Sequence, residues 1–212
     1  MRVSELFVSL QGEGTRAGIP CAFIRLAGCN LACAYCDSAY AAKSEGEPRE
    51  ARDVARWARD AATPTVMLTG GEPLHQPGAA ELLRLLCGGG GDVAVETNGS
   101  IPLAPVDRRA RYIVDVKTPG SGAGGSFHES NWESLRPQDE IKFVITSRAD
   151  FDWTVEIVRS RELDRRLPVL ISPAWGLVTL TDAAAWILES RLWLRLSPQL
   201  HKLIWGPDRR GV

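Results

Sequence analysis

Residues Arg25 to Ser38 read RLAGCNLACAYCDS and carry Cys29, Cys33 and Cys36. Three of the chain's five cysteines thus fall within eight residues, spaced Cys-x3-Cys-x2-Cys. Such a triplet converges three thiolates on one point, and thiolate is the soft ligand that suits iron–sulfur clusters, zinc and Cu(I). Three ligands rather than four is the informative feature. A structural zinc site is normally closed by four protein ligands, and none of His75, His128 and His201 stands at local ligand spacing. Three such close cysteines do not pair neatly in a disulfide, and nothing marks the chain as secreted. The spacing points to a [4Fe-4S] cluster held by three cysteines, with one iron open to another ligand.

Outward from this stretch the chain reads as short apolar strands alternating with amphipathic helices. Residues 20–26, PCAFIRL, lead into it as a strand, with Cys21 in an apolar setting that suits a small core residue better than a ligand. Residues 3–10 form an earlier strand, followed by the Gly-bracketed loop QGEG. On the other side, residues 43–48 are a polar connection. Val54, Trp57, Ala58 and Ala61 mark a helix over 50–61, and Ala79, Leu82, Leu83 and Leu86 another that Gly88 to Gly91 stop, with Cys87 as a structural residue at its end. Further strands are expected at 65–69, 92–96, 111–117, 140–146, 168–172 and 192–196. Ser147 and Asp150 suggest a capping box for a helix carrying Phe151, Val155 and Val158, and Thr181 opens a helix through Trp186 and Ile187.

This alternation predicts an α/β fold with a mostly parallel sheet. Polar residues gather at the strand ends: Thr69-Gly70-Gly71-Glu72-Pro73, Glu96-Thr97-Asn98-Gly99, Asp115-Val116-Lys117 and Ser172-Pro173. In parallel α/β folds the active site lies at the C-terminal strand ends. Four such ends and a cluster loop describe one site at the top of a partial β/α barrel.

At 212 residues the chain suits one domain, 1–212. A net charge of −1 gives no bulk attraction to nucleic acid or anionic membrane. The N-terminus lacks a signal peptide's apolar core, and no apolar run approaches the ~18 residues of a membrane span. Clustered free thiols fit a reducing compartment, so the cytoplasm is expected.

The individual motifs leave alternatives. TGGEP, 69–73, has two glycines after a strand, which let backbone approach a ligand closely or merely turn the chain. In ETNGS, 96–100, Asn98 also belongs to an Asn-Gly turn signal. Asp115 and Lys117 share one strand face, where a surface salt bridge is the plain alternative to ligand contact. His201 alone reads as structural.

The cysteine triplet with TGGEP resembles the radical S-adenosylmethionine superfamily, in which the amino and carboxylate groups of S-adenosylmethionine bind the open iron. With SLQGEGTRAG, ETNGS, DVKTPGSG, EIKFVI and HKLIWGP, in that order over nearly the whole chain, the sequence resembles the 7-carboxy-7-deazaguanine synthase family. The resemblance implies a pruned β/α barrel, usually dimeric, that converts 6-carboxy-5,6,7,8-tetrahydropterin to 7-carboxy-7-deazaguanine with loss of ammonia, feeding queuosine and other 7-deazapurines. It implies a one-electron reductant such as a flavodoxin-like protein, and Mg2+ as a further cofactor.

Residue by residue, the resemblance assigns Cys29, Cys33 and Cys36 to the cluster. It places Gly70, Gly71, Glu72, Asp115, Val116 and Lys117 at S-adenosylmethionine. Leu10, Gln11, Gly12, Glu13, Arg25, Thr69, Glu96, Asn98, Ser172, His201 and Pro207 are then assigned to the pterin. Three departures stand out. Ser38 replaces the threonine that is the family's protein ligand to Mg2+, and keeps a hard oxygen donor. Ser172 stands where a larger amide is expected in some members. DRRGV, 208–212, extends past Pro207, where a terminal carboxylate would otherwise meet the pterin. The competing reading is a glycyl-radical activating enzyme acting on a protein, which leaves LQGEG, ETNGS and His201 without a role. An electron-transfer or zinc module would require a fourth cysteine.

Overall fold

The computed structural model describes residues 1–212. The chain begins with β1 (Arg2–Leu10) and β2 (Pro20–Leu26), joined by a loop holding a short 3-10 turn at Gly14–Arg16. After the cysteine loop come α1 (Ala39–Ala42), β3 (Glu47–Pro48), α2 (Ala51–Asp60), β4 (Thr65–Gly70), α3 (Ala79–Gly88), β5 (Asp92–Thr97) and β6 (Arg111–Asp115). The remainder is α4 (Asn131–Ser134), β7 (Glu140–Ile145), α5 (Arg148–Ser160), α6 (Leu163–Arg166), β8 (Val169–Pro173), α7 (Leu180–Ser190), β9 (Leu194–Leu196) and α8 (Leu200–Trp205).

One nine-stranded sheet runs β3-β1-β2-β4-β5-β6-β7-β8-β9. From β2 onward every neighbour is parallel and next in sequence, β3 excepted. Successive right-handed crossovers in one direction place the helices on one face and curl the other inward. The sheet ends in β3 and β9 without joining them, which makes it a partial β/α barrel. No helix is long and apolar enough to cross a membrane.

Period-two alternation sorts each strand into two faces. The outer residues, among them Ile24, Leu68, Val95, Val114, Phe143 and Ile171, join Val54 and Ala58 of α2, Leu82, Leu83 and Leu86 of α3, and Phe151 and Val158 of α5 in a thirty-residue core. The inner residues Cys21, Phe23, Met67, Ala94, Ile113 and Leu170 form a separate six-residue apolar floor. Two positions further along the same strands stand Arg25, Thr69, Glu96, Asp115 and Ser172, with Lys142 on β7 facing the same way. The concave face therefore changes from apolar to ionic within one side-chain layer.

Several expectations shift. β1 runs antiparallel to β2, so the mostly parallel sheet has an antiparallel edge, and the connection at 43–48 supplies β3, which pairs with β1. The strand expected over 111–117 ends at Asp115, although the Val116 amide still donates to Lys142 O at 2.8 Å. The last strand is three residues rather than five. The capping box is half made: Ser147 Oγ accepts from Asp150 N at 3.3 Å. The Asp150 carboxylate is instead spent on Gly120 N at 2.8 Å and on Thr146 N and Oγ1 at 2.9 and 2.6 Å. Asp150 thereby ties the GSGAGG loop to β7, a longer-range use that local spacing cannot show.

Candidate active site

A cavity of about 660 Å³ opens at the C-terminal strand ends. Its wall includes Cys29, Cys33 and Cys36, all free and half-buried, on the loop that follows β2. That loop is held from three sides. Gly28 N donates to Ala41 O at 2.9 Å, Glu72 N donates to Gly28 O at 2.9 Å, and Ala34 N donates to Ser121 O at 2.9 Å. Gly70 and Gly71 are required by this packing: a Cβ on Gly70 would enter the Leu26 backbone, and one on Gly71 the Gly28 backbone.

No three His, Cys, Asp or Glu side chains meet closely enough for a single metal ion. Three free thiols on one cavity wall, with no fourth Cys or His beside them, are the donor set of a thiolate-held iron–sulfur cluster rather than of a closed structural zinc site. Beside them the buried Asp115 Oδ1 and Tyr35 hydroxyl have no hydrogen-bond partner in the protein, and both residues line the cavity. Orphaned buried polar atoms of this kind call for a ligand. The donor set fits a thiolate-bound cluster with a polar cosubstrate next to it.

Glu13, Asp37, Glu96 and Asp115 form an ion-pair network with three lysines on the wall of this space. Lys142 Nζ pairs with Glu13 at 2.9 Å, with Asp115 at 3.4 Å and, most closely, with Glu96. Lys117 Nζ holds Asp115 at 3.0 Å. Lys202 Nζ holds Asp37 at 2.9 Å, and the Gln199 amide bridges Asp37 and Glu13 at 3.0 and 3.1 Å. Burial alone would raise the Asp115 carboxyl, but Lys117 and Lys142 together hold it below the ordinary range. Glu96 is half-buried and likewise held low, chiefly by Lys142 against the opposing effect of desolvation. Burial would lower the Lys142 ammonium, and Glu13, Glu96 and Asp115 outweigh it and raise its pKa well above the ordinary value. Glu96 keeps a third of its side-chain surface exposed, 33%, because that surface faces the cavity.

Arg25 presents its guanidinium to the cavity from β2. Its Nε donates to Glu5 at 3.0 Å, the fork lies 5.8 Å over Phe7, and its terminal nitrogens make no bond to the protein. Tyr40 OH donates to the same Glu5 oxygen at 2.7 Å, and its hydroxyl pKa is pushed up to about 12, mainly by burial. Arg210, from the stretch after α8, stacks on the Tyr40 ring at 4.0 Å. Pro207 and residues 208–212 all line the cavity.

Of the expected residues, Leu10, Gln11, Gly12, Glu13, Arg25, Ser38, Thr69, Gly70, Gly71, Glu96, Asn98, Asp115, Lys117, His201 and Pro207 line this one space with the three cysteines. Three do not reach it. Glu72 is fully buried, its carboxylate spent on Leu74 N, Thr97 Oγ1 and Asn98 N at 3.0, 2.9 and 2.6 Å. Val116 points into the main core. Ser172 has the inward parity, but Ala174, Trp175 and Leu177 form the wall beyond it, and its hydroxyl is buried without a partner. The Asn98 amide is turned toward the cysteine loop, donating to Asn30 Oδ1 at 3.0 Å. His201 packs against Gly12, and burial pulls its imidazole below the usual value despite Glu13 and Asp37.

Sequence reading passed over Glu5, Asp37, Tyr40, Lys142, Gln199 and Lys202. Only Lys142 carried a local signal: a lysine inside the apolar strand EIKFVI, on the face that meets the site.

A partial barrel with cluster-forming thiols over its C-terminal strand ends defines a radical S-adenosylmethionine enzyme, and the Radical SAM superfamily model matches residues 23–162. Among curated proteins, the chain is 42% identical to a 7-carboxy-7-deazaguanine synthase of Koribacter versatilis, over 100% of both chains. It is 37% identical to one of Chlorobaculum tepidum, over 100% of this chain and 97% of the other. The crystal structure of QueE from Escherichia coli superposes with a TM-score of 0.73 at 24% identity, covering 94% of each chain, and Streptococcus suis SuiB shares the fold over 83% of this chain and 48% of its own, at a TM-score of 0.57 and 15% identity. The chain belongs to the 7-carboxy-7-deazaguanine synthase family. Membership brings a [4Fe-4S] cluster and S-adenosylmethionine as cofactors, and favours the synthase over the glycyl-radical activating enzyme.

Proposed function

We propose that this cavity converts 6-carboxy-5,6,7,8-tetrahydropterin to 7-carboxy-7-deazaguanine with release of ammonia, a step toward queuosine or other 7-deazapurines. The supporting observation is that one cavity gathers three free thiols, an unpaired guanidinium face on Arg25 and the carboxylates of Glu13 and Glu96. Full-length relatives of the same family add to it.

In this reading Cys29, Cys33 and Cys36 hold the cluster. Gly70, Gly71, Asp115 and Lys117 surround S-adenosylmethionine, with Glu72 and Val116 acting through the loop and backbone they fix. When bound, the cluster and S-adenosylmethionine supply the radical chemistry that the protein positions. Arg25 is the carboxylate receptor, since a guanidinium fork pairs bidentately with a planar carboxylate. Glu13 and Glu96, both paired with Lys142, accept from the N–H edges of the pterin. Thr69 Oγ1 donates to Glu96 at 3.3 Å and fixes its aim. A neutral His201 offers one N–H and one acceptor. Leu10, Gln11, Gly12 and Pro207 bound the pterin at the cavity mouth, while Asn98 steadies the cysteine loop and Ser172 lies behind the wall.

Ser38 is assigned to Mg2+. It stands at the N-cap position of α1 without making a cap bond, so its hydroxyl is not spent on the helix. A metal held by one protein hydroxyl takes its other ligands from substrate and water, so Mg2+ binds appreciably only with the pterin present. Ser38→Ala lowers turnover and Mg2+ stimulation together and leaves iron content unchanged. Coincident Mg2+ titrations of wild type and Ser38→Ala would remove Ser38 from the metal site.

Residues 1–212 are read as one domain, supported by the single continuous sheet. An external one-electron donor, flavodoxin-like or another, is required by the chemistry. Leu203, Ile204 and Trp205 on α8 are exposed, which supports a homodimer. Clustered free thiols support a cytoplasmic setting. The test of the reaction is anaerobic reconstitution with iron and sulfide, reduction, and assay of 5′-deoxyadenosine and 7-carboxy-7-deazaguanine with and without the pterin. Pterin-dependent formation of both is expected, and 5′-deoxyadenosine without the deazapurine would overturn the substrate.

A further inference from the structure

Lys142 is the one side chain that touches carboxylates assigned to both ligands: Glu13 and Glu96 for the pterin, Asp115 for S-adenosylmethionine. It stands near the middle of β7, and its side chain is 6% exposed. Its register neighbours are Asp115 on β6 and Leu170 on β8, so the lysine rises from the edge of the apolar floor into the ionic layer. Three carboxylates within one cavity repel each other strongly when solvent is excluded, and without a shared cation they would take up protons. Asp115 has a second cation in Lys117, whereas Glu13 and Glu96 have Lys142 as their only ion-pair partner.

We propose that Lys142 is a positioning residue of the synthase: its ammonium, bonded to both Glu13 and Glu96, aims the two carboxylates at one point, so that both present acceptors to the pterin. This rests on the assignment of those two carboxylates to the pterin. Lys142 does not exchange protons in this role; it stays charged through the working pH range, in line with the direction of its pKa shift. The charged groups around it are Glu13 from the β1–β2 loop, Glu96 from β5, Asp115 from the end of β6 and Lys117 just beyond it. Asp37, Tyr35, His201 and Lys202 lie further out on the cavity wall and make no bond to it.

The sign of the pH dependence follows from linkage. In the wild type, Glu96 and Asp115 titrate below their unfolded values, so their stabilisation is complete above the ordinary carboxylate range and is lost only as pH falls through the lowered values. Lys142 loses its charge only above the ordinary lysine range. Between about pH 6 and 9 neither event intrudes. In Lys142→Met, Glu96 loses the cation that chiefly holds it low and titrates upward into this window. The folded variant then binds more protons than its unfolded chain, so its stability falls as pH rises. Glu96 ionises over the same range, so the variant's affinity for the pterin recovers.

The experiment measures pterin dissociation constants by calorimetry on the reconstituted holoenzyme with S-adenosylmethionine, and thermal midpoints without the pterin, from pH 6 to 9. Lys142→Met binds the pterin about tenfold more weakly than wild type at pH 6.5 and within about threefold at pH 9, one pKa unit being a factor of ten. Its thermal midpoint deficit is larger at pH 9 than at pH 6. Lys142→Gln, a hydrogen-bond donor without charge, follows Lys142→Met, and also carries the test if the Met variant does not fold. A deficit that is absent or independent of pH, or a Gln variant that behaves as wild type, overturns the proposal. If wild-type enzyme binds no pterin, the substrate assignment fails instead, and the pH trend of the thermal midpoints still decides whether Lys142 holds Glu96 ionised.

Discussion

Alanine at Cys29, Cys33 or Cys36 is expected to abolish 5′-deoxyadenosine formation and to strip most of the iron from the reconstituted protein, whereas Cys21→Ala and Cys87→Ala retain both. The five cysteines fall in two kinds of environment. Cys29, Cys33 and Cys36 line the cavity on a loop without regular secondary structure before α1. Cys21 is 1% exposed in the apolar floor, and Cys87 packs from α3 against the main core. A cluster held by three thiolates has no spare ligand, so one substitution leaves only two. Cys21→Ala removes one small buried group and costs on the order of 1 kcal/mol of stability. Iron content, the cluster's absorbance and 5′-deoxyadenosine report together. Full activity in Cys33→Ala would end the cluster assignment.

Arg25→Ala should weaken pterin binding by about a hundredfold while changing S-adenosylmethionine affinity by no more than about threefold, both read by calorimetry. Losing a charged hydrogen-bond partner costs about 1.5–3 kcal/mol, and here the loss has two parts. The substrate carboxylate loses its receptor. Glu5, paired with Arg25 at 3.0 Å, is left facing that carboxylate with only Tyr40 OH as a donor. Like-charge proximity then places the effect at the upper end of the range. Arg25→Lys should restore little, because an ammonium cannot bond Glu5 and offer a planar fork at once. Equal weakening of both ligands would show that Arg25 shapes the whole cavity rather than receiving one carboxylate.

Strand ends were legible in the sequence because strand periodicity is local. TVMLTG and DVAVET each declare an apolar core and a polar terminus within six residues, and the structure puts Thr69 and Glu96 on the same concave face. Charge pairing was not legible. Asp37 with Lys202, and Glu13 with Lys142, are separated by most of the chain, and only the curl of the sheet brings them together. Glu72 failed as an expected cofactor contact for the opposite reason. A motif shows which residue follows the glycines but not that its carboxylate turns inward to satisfy the amides of Leu74 and Asn98. The antiparallel setting of β1 was hidden as well, since an edge strand and a parallel strand carry the same alternation.

The apolar floor beneath the ionic layer bears on how this enzyme could be re-purposed. On strands β2, β4, β5 and β6 a floor residue is followed two positions on by a wall residue: Phe23 then Arg25, Met67 then Thr69, Ala94 then Glu96, Ile113 then Asp115. The first of each pair gives the cavity an apolar base, where Phe23, Met67 and Ile113 reach its lining; the second supplies the polar groups above it. Polar ligand recognition is therefore written in a short row of positions on a scaffold whose core packing lies elsewhere. A library confined to Arg25, Thr69 and Glu96 would sample new small-molecule guests while leaving the floor, the helical shell and the cysteine loop as they are.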